Sequence, residues 1–291
     1  MKKLISRIAL IVLVCTCAGL YFGGCNVVTR FYYKLYGEKM LWDSTFLTMD
    51  THLLGFAFPQ GQIALYLDQN PSIGPTSFIG RIYAEILQIM YFSYYFWGNA
   101  MAVYLLVQYF FLSCKNNSYQ LPLQLPRVLQ EETSLTQEQQ WRRLMMFTTA
   151  WTGTYLLNFV MNMVFPAVSP RIYIADQYQN EISGLFFANS IRGALKGAAA
   201  NSFGAFPSGH CGLSWLAAYT ARRLGFVRYA KCAKIAAVHI TLATLILRYH
   251  YLVDMFCATI LLAFGITVGH LYSQEVYERQ VMGGAAPTRR S

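Results

Sequence analysis

The sequence predicts an all-α integral membrane protein, a bundle of about six transmembrane helices, and three observations lead there. Of its 291 residues 55% are hydrophobic and only 12% are charged, which is unlike the surface of a soluble domain. Apolar runs close to the roughly 20 residues that cross a hydrocarbon core recur along the chain. Lysines and arginines cluster where those runs end, so the net charge of +10 fits anchoring to anionic headgroups better than a nucleic-acid surface. The expected partner is therefore the lipid bilayer, with no nucleic acid. The 7 cysteines include no Cys-x-x-Cys pair, and Cys15, Cys17, Cys211, Cys232 and Cys257 lie in or beside apolar runs, which argues against a disulfide framework or a zinc site.

Taken in order, Lys2, Lys3 and Arg7 open an apolar run that reaches Phe22. It is long for a signal peptide and lacks a clean small-residue cleavage site, so a first transmembrane helix is expected. Cys25, after Phe22-Gly23-Gly24, loosely resembles a lipoprotein cleavage box without its leucine, and lipidation is not expected there. From 23 to 80, Pro59, Gly61, Pro71, Gly74 and Pro75 break any long period, which predicts a loop carrying short helices. Within it, 53–67 is apolar enough to span, but Pro59 and Gln60-Gly61-Gln62 favour an interfacial segment.

Ile82 to Leu112 is too long for one upright span, so a tilted helix or an interfacial turn followed by a span is expected. Glu85 inside it is a functional candidate, with a solvated end residue the plainer reading. Residues 114–143 form a polar connection with a short helix over Leu135–Arg143, capped by Thr136 or Ser134. Met145–Pro166 is the next span, followed by a long loop with Arg171, Asp176, Glu181, Arg192 and Lys196. Phe206–Leu224 is a short span, and Arg222, Arg223, Arg228, Lys231 and Lys234 follow it without an acidic residue. Ile235–Tyr249 and Tyr251–Tyr272 complete the set, and the tail beyond Gly283 reads as disordered.

Placing the N-terminus, the 114–143 and 222–234 loops and the C-terminus on one side gathers 15 of the 23 lysines and arginines there. The positive-inside rule makes that side cytoplasmic. Arg171, Lys196, His210, Arg248 and His250 then all fall at the opposite, non-cytoplasmic face. Two histidines and several cations at one end of a helical bundle compose an anion site.

Two stretches carry the candidate chemistry. Arg248-Tyr249-His250-Tyr251-Leu252-Val253-Asp254 stands where one apolar run ends and the next begins. If a helix starts there, His250 and Asp254 are i,i+4 neighbours, and the carboxylate holds one imidazole nitrogen while the other stays available as nucleophile or base. Phe206-Pro207-Ser208-Gly209-His210 opens another run, with a proline that an early helical position tolerates and a glycine that admits close backbone approach. Free N–H groups at that helix start favour a phosphate. Singly, each stretch has a plain alternative, a helix-start turn with a surface histidine or an i,i+4 pair that only stabilises its helix. His239 and His270 are expected to hydrogen-bond between helices, and His52 to lie in a loop. Most tyrosines and tryptophans sit near span ends as anchors, while Tyr249 and Tyr251 flank His250 and are placed to line a headgroup pocket.

Together the two stretches resemble the type 2 phosphatidic acid phosphatase superfamily, whose members carry a PSGH-like motif and a later histidine followed four residues on by aspartate. The compact His250-Tyr251-Leu252-Val253-Asp254 form and the Phe165-Pro166-Ala167-Val168-Ser169-Pro170-Arg171 segment are most similar to the branch of inositolphosphotransferases and sphingolipid synthases. The resemblance covers roughly residues 85–272. It implies that His250 attacks phosphorus to form a phosphohistidine, that Asp254 orients it, and that His210 serves as general acid and then base. It implies too that Arg171, Arg248, Ser208 and the Gly209 amide hold phosphate oxygens, with no metal and no cofactor. Two departures stand. The common pattern opens with a lysine, six residues and Arg-Pro, whereas Pro170-Arg171 has no such lysine and Lys196 is an unmatched substitute. Thr244 occupies the place of the usual arginine six before the second histidine.

What the resemblance implies is a lipid-phosphate phosphatase or phosphotransferase working at the non-cytoplasmic face of a bacterial inner membrane or a eukaryotic endomembrane. Its substrate would be a membrane lipid with a phosphate or phosphodiester headgroup. Hydrolysis is the minimal outcome, and headgroup transfer of the inositolphosphorylceramide or sphingomyelin synthase kind is the alternative. A non-catalytic anion-binding or transport protein is the rival of another class. The chain divides accordingly into 1–80, a helix and non-cytoplasmic loop; 81–273, the catalytic domain; and 274–291, a flexible tail.

Overall fold

A computed structural model describes residues 27–115, 136–199 and 203–283, and the side chains at 111–115, 196–199 and 273–283 lie outside that description. The expected helix ending at Phe22, Cys25, most of the 114–143 connection and the tail beyond Gly283 therefore fall outside it.

The described residues are helical, with one isolated parallel bridge between Ala167 and Gly204 and no strand among them. Helical turns at 27–36 lead through a 3-10 turn at Gly37–Met40 into α1 (Asp43–Leu54). The candidate span 53–67 is not one helix. α1 stops at Leu54, Pro59–Gly61 forms a 3-10 turn with Gln60 at φ 50, and α2 (Ile63–Asp68) starts afresh. α3 (Phe78–Lys115) is one uninterrupted helix of 38 residues, so Ile82–Leu112 holds no separate turn.

The short helix expected near Thr136 and the span expected from Met145 are one element, α4 (Gln137–Val164). Nothing between Arg143 and Met145 breaks the helix, and Leu144 there is buried. The cap at Thr136 is a full capping box: its side chain accepts from the Gln139 amide, and the Gln139 side chain accepts from the Thr136 amide. After α5 (Pro170–Tyr173) and α6 (Ala188–Ala199) come α7 (Gly209–Arg223), α8 (Val227–Ile246) and α9 (Leu252–Gly283). The basic loop expected over 222–234 shrinks to a turn around Gly225 at φ +89, because Ala230 and Ala233 are buried and carry α8 back to Val227.

α7 is the axis of the bundle, packing on α3, α4, α8 and α9. Its small residues Gly212, Ala217, Ala218 and Ala221 are buried and let the neighbours close in. Gly98 on α3 likewise makes room for the Trp151 ring of α4. Among the described residues two helices are long and apolar enough to cross a membrane, Val227–Ile246 and Leu252–Tyr272. α3 and α4 have the length, but Arg81, Glu85, Gln88 and Gln108 in the one and Gln140, Arg142 and Asn158 in the other dilute their apolar faces.

The histidines sit at one end of this bundle. His210 lies on the first turn of α7 and His250 on the turn between α8 and α9, while Arg222, Arg223 and Arg228 gather at the other end of α7 and α8. At 1.5 Å per residue, the 20 residues of α8 separate those ends by about 30 Å.

Candidate active site

The second histidine is placed by an unusual turn. α8 ends at Ile246, Arg248 adopts φ 69, and the amides of Tyr249 and His250 both donate to the Thr244 carbonyl at 2.9 and 3.0 Å. A left-handed conformation is uncommon for arginine, and here it swings His250 off the end of α8 toward α7. Nδ1 of His250 then meets two acceptors, the Ala205 carbonyl at 2.6 Å and Oδ2 of Asp254 at 3.1 Å. A carbonyl oxygen can only accept, so Nδ1 carries the proton and the lone pair of a neutral imidazole lies on Nε2. Asp254 is fully buried on the first turn of α9, and the same oxygen accepts from the Tyr251 amide at 2.9 Å.

His210 is held differently. Its ring stacks on Tyr91 at 4.5 Å and 25° and tilts against Tyr94 at 4.4 Å, and its Nδ1 lies 3.2 Å from the Tyr91 hydroxyl. The two imidazole centroids are 5.9 Å apart.

Backbone contacts tie the motif stretches together. The Ser208 amide donates to the Asp254 carbonyl at 3.3 Å, and Ala205 is fixed by its own amide donating to the Ala167 carbonyl at 3.1 Å. Ser208 is fully buried, and its hydroxyl caps α7 by accepting from the Cys211 amide at 3.4 Å. Gly209 permits a close approach of α4: a Cβ there would stand 2.7 Å from Oδ1 of Asn158, whose amide group donates to the Pro207 carbonyl at 3.0 Å.

The cations divide. Arg171 and Arg192 both lie over the Tyr249 ring, at 5.1 and 5.7 Å, and burial holds the Arg171 guanidinium below its ordinary pKa. Arg248 instead stacks on Tyr178 at 3.7 Å and forms a buried ion pair with Asp68 at 2.7 Å, with a further bond to the Asn180 carbonyl at 3.0 Å. All three arginines border one cleft of about 640 Å³, with Asn180 and Asn189 among its other walls. A run of ring contacts leads from that cleft inward: Arg171 over Tyr249, Tyr249 on Tyr91 at 4.5 Å, and Tyr91 on His210. Lys196 belongs to α6, and its side chain lies outside the described residues.

Three residues of this site were not singled out from the sequence. Arg192 stood in the long loop with no motif around it, and Tyr91 and Asp68 meet the site only through long-range contacts. Glu85 is neither a solvated end residue nor a member of the histidine cluster. Its buried carboxylate accepts from the amides of Leu185, Phe186, Phe187 and Ala188 at 2.7 to 3.3 Å, and so seats the start of α6, which carries Arg192. His270 bonds Tyr219 at 2.9 Å between helices as expected, whereas His239 bonds the Ile235 carbonyl of its own helix at 2.8 Å.

The chain is 37% identical over 239 residues to a PA-phosphatase related-family protein of Dictyostelium discoideum, a match that covers 81% of this chain and 41% of that protein. The chain thus spans about two fifths of its relative's length. No solved structure matches it. Both histidines and Asp254 fall within residues 135–268, the stretch over which the chain matches the PAP2 superfamily model.

Proposed function

We propose that this site carries out phosphoryl chemistry on a membrane lipid phosphate or phosphodiester through a covalent phosphohistidine. One observation supports it above the others: two imidazoles 5.9 Å apart, one with its Nδ1 proton fixed by the Ala205 carbonyl and Asp254. That separation leaves room for a phosphorus and its leaving oxygen between the rings.

In the first half-reaction the Nε2 lone pair of His250 attacks phosphorus. The bond from phosphorus to the lipid oxygen breaks, and His210 gives its proton to the departing oxygen. Asp254 compensates the positive charge that develops on His250. In the second half-reaction His210 takes a proton from water or an alcohol, whose oxygen attacks phosphorus as the P–N bond breaks. The equatorial oxygens are neutralised by Arg171 and Arg192, with Lys196 on the same helix as Arg192. The Gly209 and His210 amides, which precede the first intrahelical bond at Gly212, add their N–H groups. The arginines supply the positive charge, so the scheme needs no metal. Arg248 contributes less to the phosphate than its place in the motif suggests, since Asp68 already neutralises it.

The same reading makes the protein a multi-pass membrane enzyme. α3, α4, α7, α8 and α9 serve as its spans among the described residues, and the histidines face away from the cytoplasm. The basic cluster at the opposite end of α7 and α8 supports that orientation. Water is the minimal acceptor. Transfer of a headgroup to a lipid alcohol is favoured by the cleft of about 640 Å³, which is larger than a bare phosphate needs and is lined by Asn180, Asn189 and Tyr178.

The test is release of phosphate from short-chain lipid phosphates by the purified full chain, repeated with diacylglycerol or ceramide and a phosphodiester donor. Vanadate-sensitive turnover that disappears in His250→Ala is expected. Turnover persisting in that variant removes His250 as nucleophile, and headgroup transfer without phosphate release identifies a transferase. Vanadate binding without turnover on any donor points to the non-catalytic anion-binding rival.

A further inference from the structure

The 23–80 segment, which the sequence marks only as a loop with short helices, carries three buried carboxylates, and each of them grips part of the site. Asp43 and Asp50 are fully buried and lie two turns apart on one face of α1 with Phe46 between them; Asp68 ends α2. A helix face of two acids and a phenylalanine is an unusual face to bury. Asp43 accepts from the amides of Val168 and Ser169 at 3.0 to 3.2 Å and from the Tyr251 hydroxyl at 2.7 Å. Asp68 accepts from the amides of Gln179 and Asn180 at 2.6 and 3.2 Å and pairs with Arg248. Phe46 stacks on Phe206 at 4.3 Å, next to the first histidine motif.

Asp50 makes the most consequential contact. Its two oxygens accept from the amides of Leu252 and Val253 at 2.7 and 2.9 Å, the first residues of α9, and it is steadied by the Gln62 side chain donating at 2.7 Å. Those amides would otherwise have no partner at a part-buried helix start. The carboxylate thus caps the helix from 202 residues away, between His250 and Asp254 in sequence. It also places a second negative group near Asp254.

We propose that Asp50 is a positioning residue for the His250–Asp254 pair. From outside the 135–268 domain match, it fixes the start of α9 so that Asp254 meets Nδ1 of His250. The inference rests on the catalytic reading of that pair. A side-chain shift of about 1 Å at a reacting centre can cost 10²-fold in rate, so the effect belongs in kcat and not in substrate affinity.

The full chain is compared as wild type, Asp50→Asn and Gln62→Ala, with His250→Ala as the zero-activity control. Asn keeps one acceptor and removes the charge; Gln62→Ala removes only the brace and serves if Asp50→Asn does not fold. For Asp50→Asn kcat is expected to fall about 10- to 100-fold with KM within about twofold, and for Gln62→Ala about three- to tenfold. The limb of the kcat pH profile that belongs to the His250–Asp254 pair should move in Asp50→Asn. Hydrogen exchange at the Leu252 and Val253 amides should accelerate in both variants. A folded Asp50→Asn protein with wild-type kcat, pH profile and exchange overturns the proposal. A wild-type chain that turns over no lipid phosphate overturns the catalytic reading instead, and the exchange measurement then decides by itself whether Asp50 holds the start of α9.

Discussion

The two histidines stand 5.9 Å apart in surroundings of opposite kind. His250 is held by oxygen: a carbonyl and a carboxylate share its Nδ1 proton, and that carboxylate also accepts a backbone amide. His210 is held by rings, Tyr91 and Tyr94, with a single hydroxyl as its polar contact. The oxygen-held ring has its tautomer fixed and its positive charge compensated, which suits a group that bonds to phosphorus and becomes cationic. The ring-held imidazole has no fixed negative partner and only a hydroxyl beside its Nδ1, which suits a group that passes a proton on. The difference supports the proposed division into nucleophile and acid–base on grounds that neither motif supplies.

Breaking the oxygen side should have the largest effect. Asp254→Asn removes the compensating charge and one acceptor but leaves the Ala205 carbonyl 2.6 Å from Nδ1, so the tautomer survives. We expect kcat to drop on the order of 10²- to 10³-fold, less than the ~10⁴ seen where a carboxylate is the sole orienting acceptor. Accumulation of a phosphohistidine detectable after a rapid acid-free quench should fall in parallel. A 10⁴-fold loss would mean that Ala205 does not hold the ring in solution.

Breaking the ring side should cost less. Tyr91→Phe keeps the stack on His210 and on Tyr249 and deletes only the hydroxyl 3.2 Å from Nδ1, the polar contact that fixes how the His210 ring is turned. The expected loss is about tenfold in kcat, with a smaller loss for donors whose leaving group needs no protonation. Equal losses for good and poor leaving groups would take His210 out of the acid role.

Arg192→Gln tests the cleft that both histidine environments share through Tyr249. It removes one of the two guanidinium groups over that ring, and KM should rise about tenfold with kcat within about threefold, the size of one charge-assisted hydrogen bond. Arg248→Gln should instead lower the thermal midpoint more than it raises KM, because it leaves Asp68 buried without its cation.

These environments also mark what the sequence can and cannot reveal. The i,i+4 spacing of His250 and Asp254, the cap at Thr136 and the helix start at Ser208-Gly209-His210 are local, and local rules find them, although Pro207 stands just before the helix and not within it. The helix start at Val227 escapes because five basic residues read as a loop, whereas Gly225 makes the turn and the charges ride on exposed positions at the end of α7 and along the start of α8. Arg248 reads as a free cation because its partner Asp68 is 180 residues away. Tyr91 reads as one aromatic among many in α3 until it is folded against His210. Periodicity reports which face of a helix is buried, and it is silent on which distant polar group that face will meet.

The same contrast extends to how α7 and α9 begin, and it yields the smallest predicted effect. α9 is capped from outside by Asp50, while α7 is capped by its own preceding residue, Ser208, through a bond of 3.4 Å to the Cys211 amide. A long neutral bond is worth less than a pair of short charge-assisted ones. Ser208→Ala should therefore cost about 1 kcal/mol of stability, the usual value of a hydroxyl cap, read as a small fall in the thermal midpoint of the detergent-solubilised chain. Its activity should stay within a few-fold, because the Ser208 backbone still donates to the Asp254 carbonyl and keeps the two motif stretches in register. A loss in Ser208→Ala as large as that in Asp254→Asn would show that the hydroxyl leaves its cap during turnover to touch the phosphoryl group, and the two helix starts would then differ in chemistry as well as in how they are held.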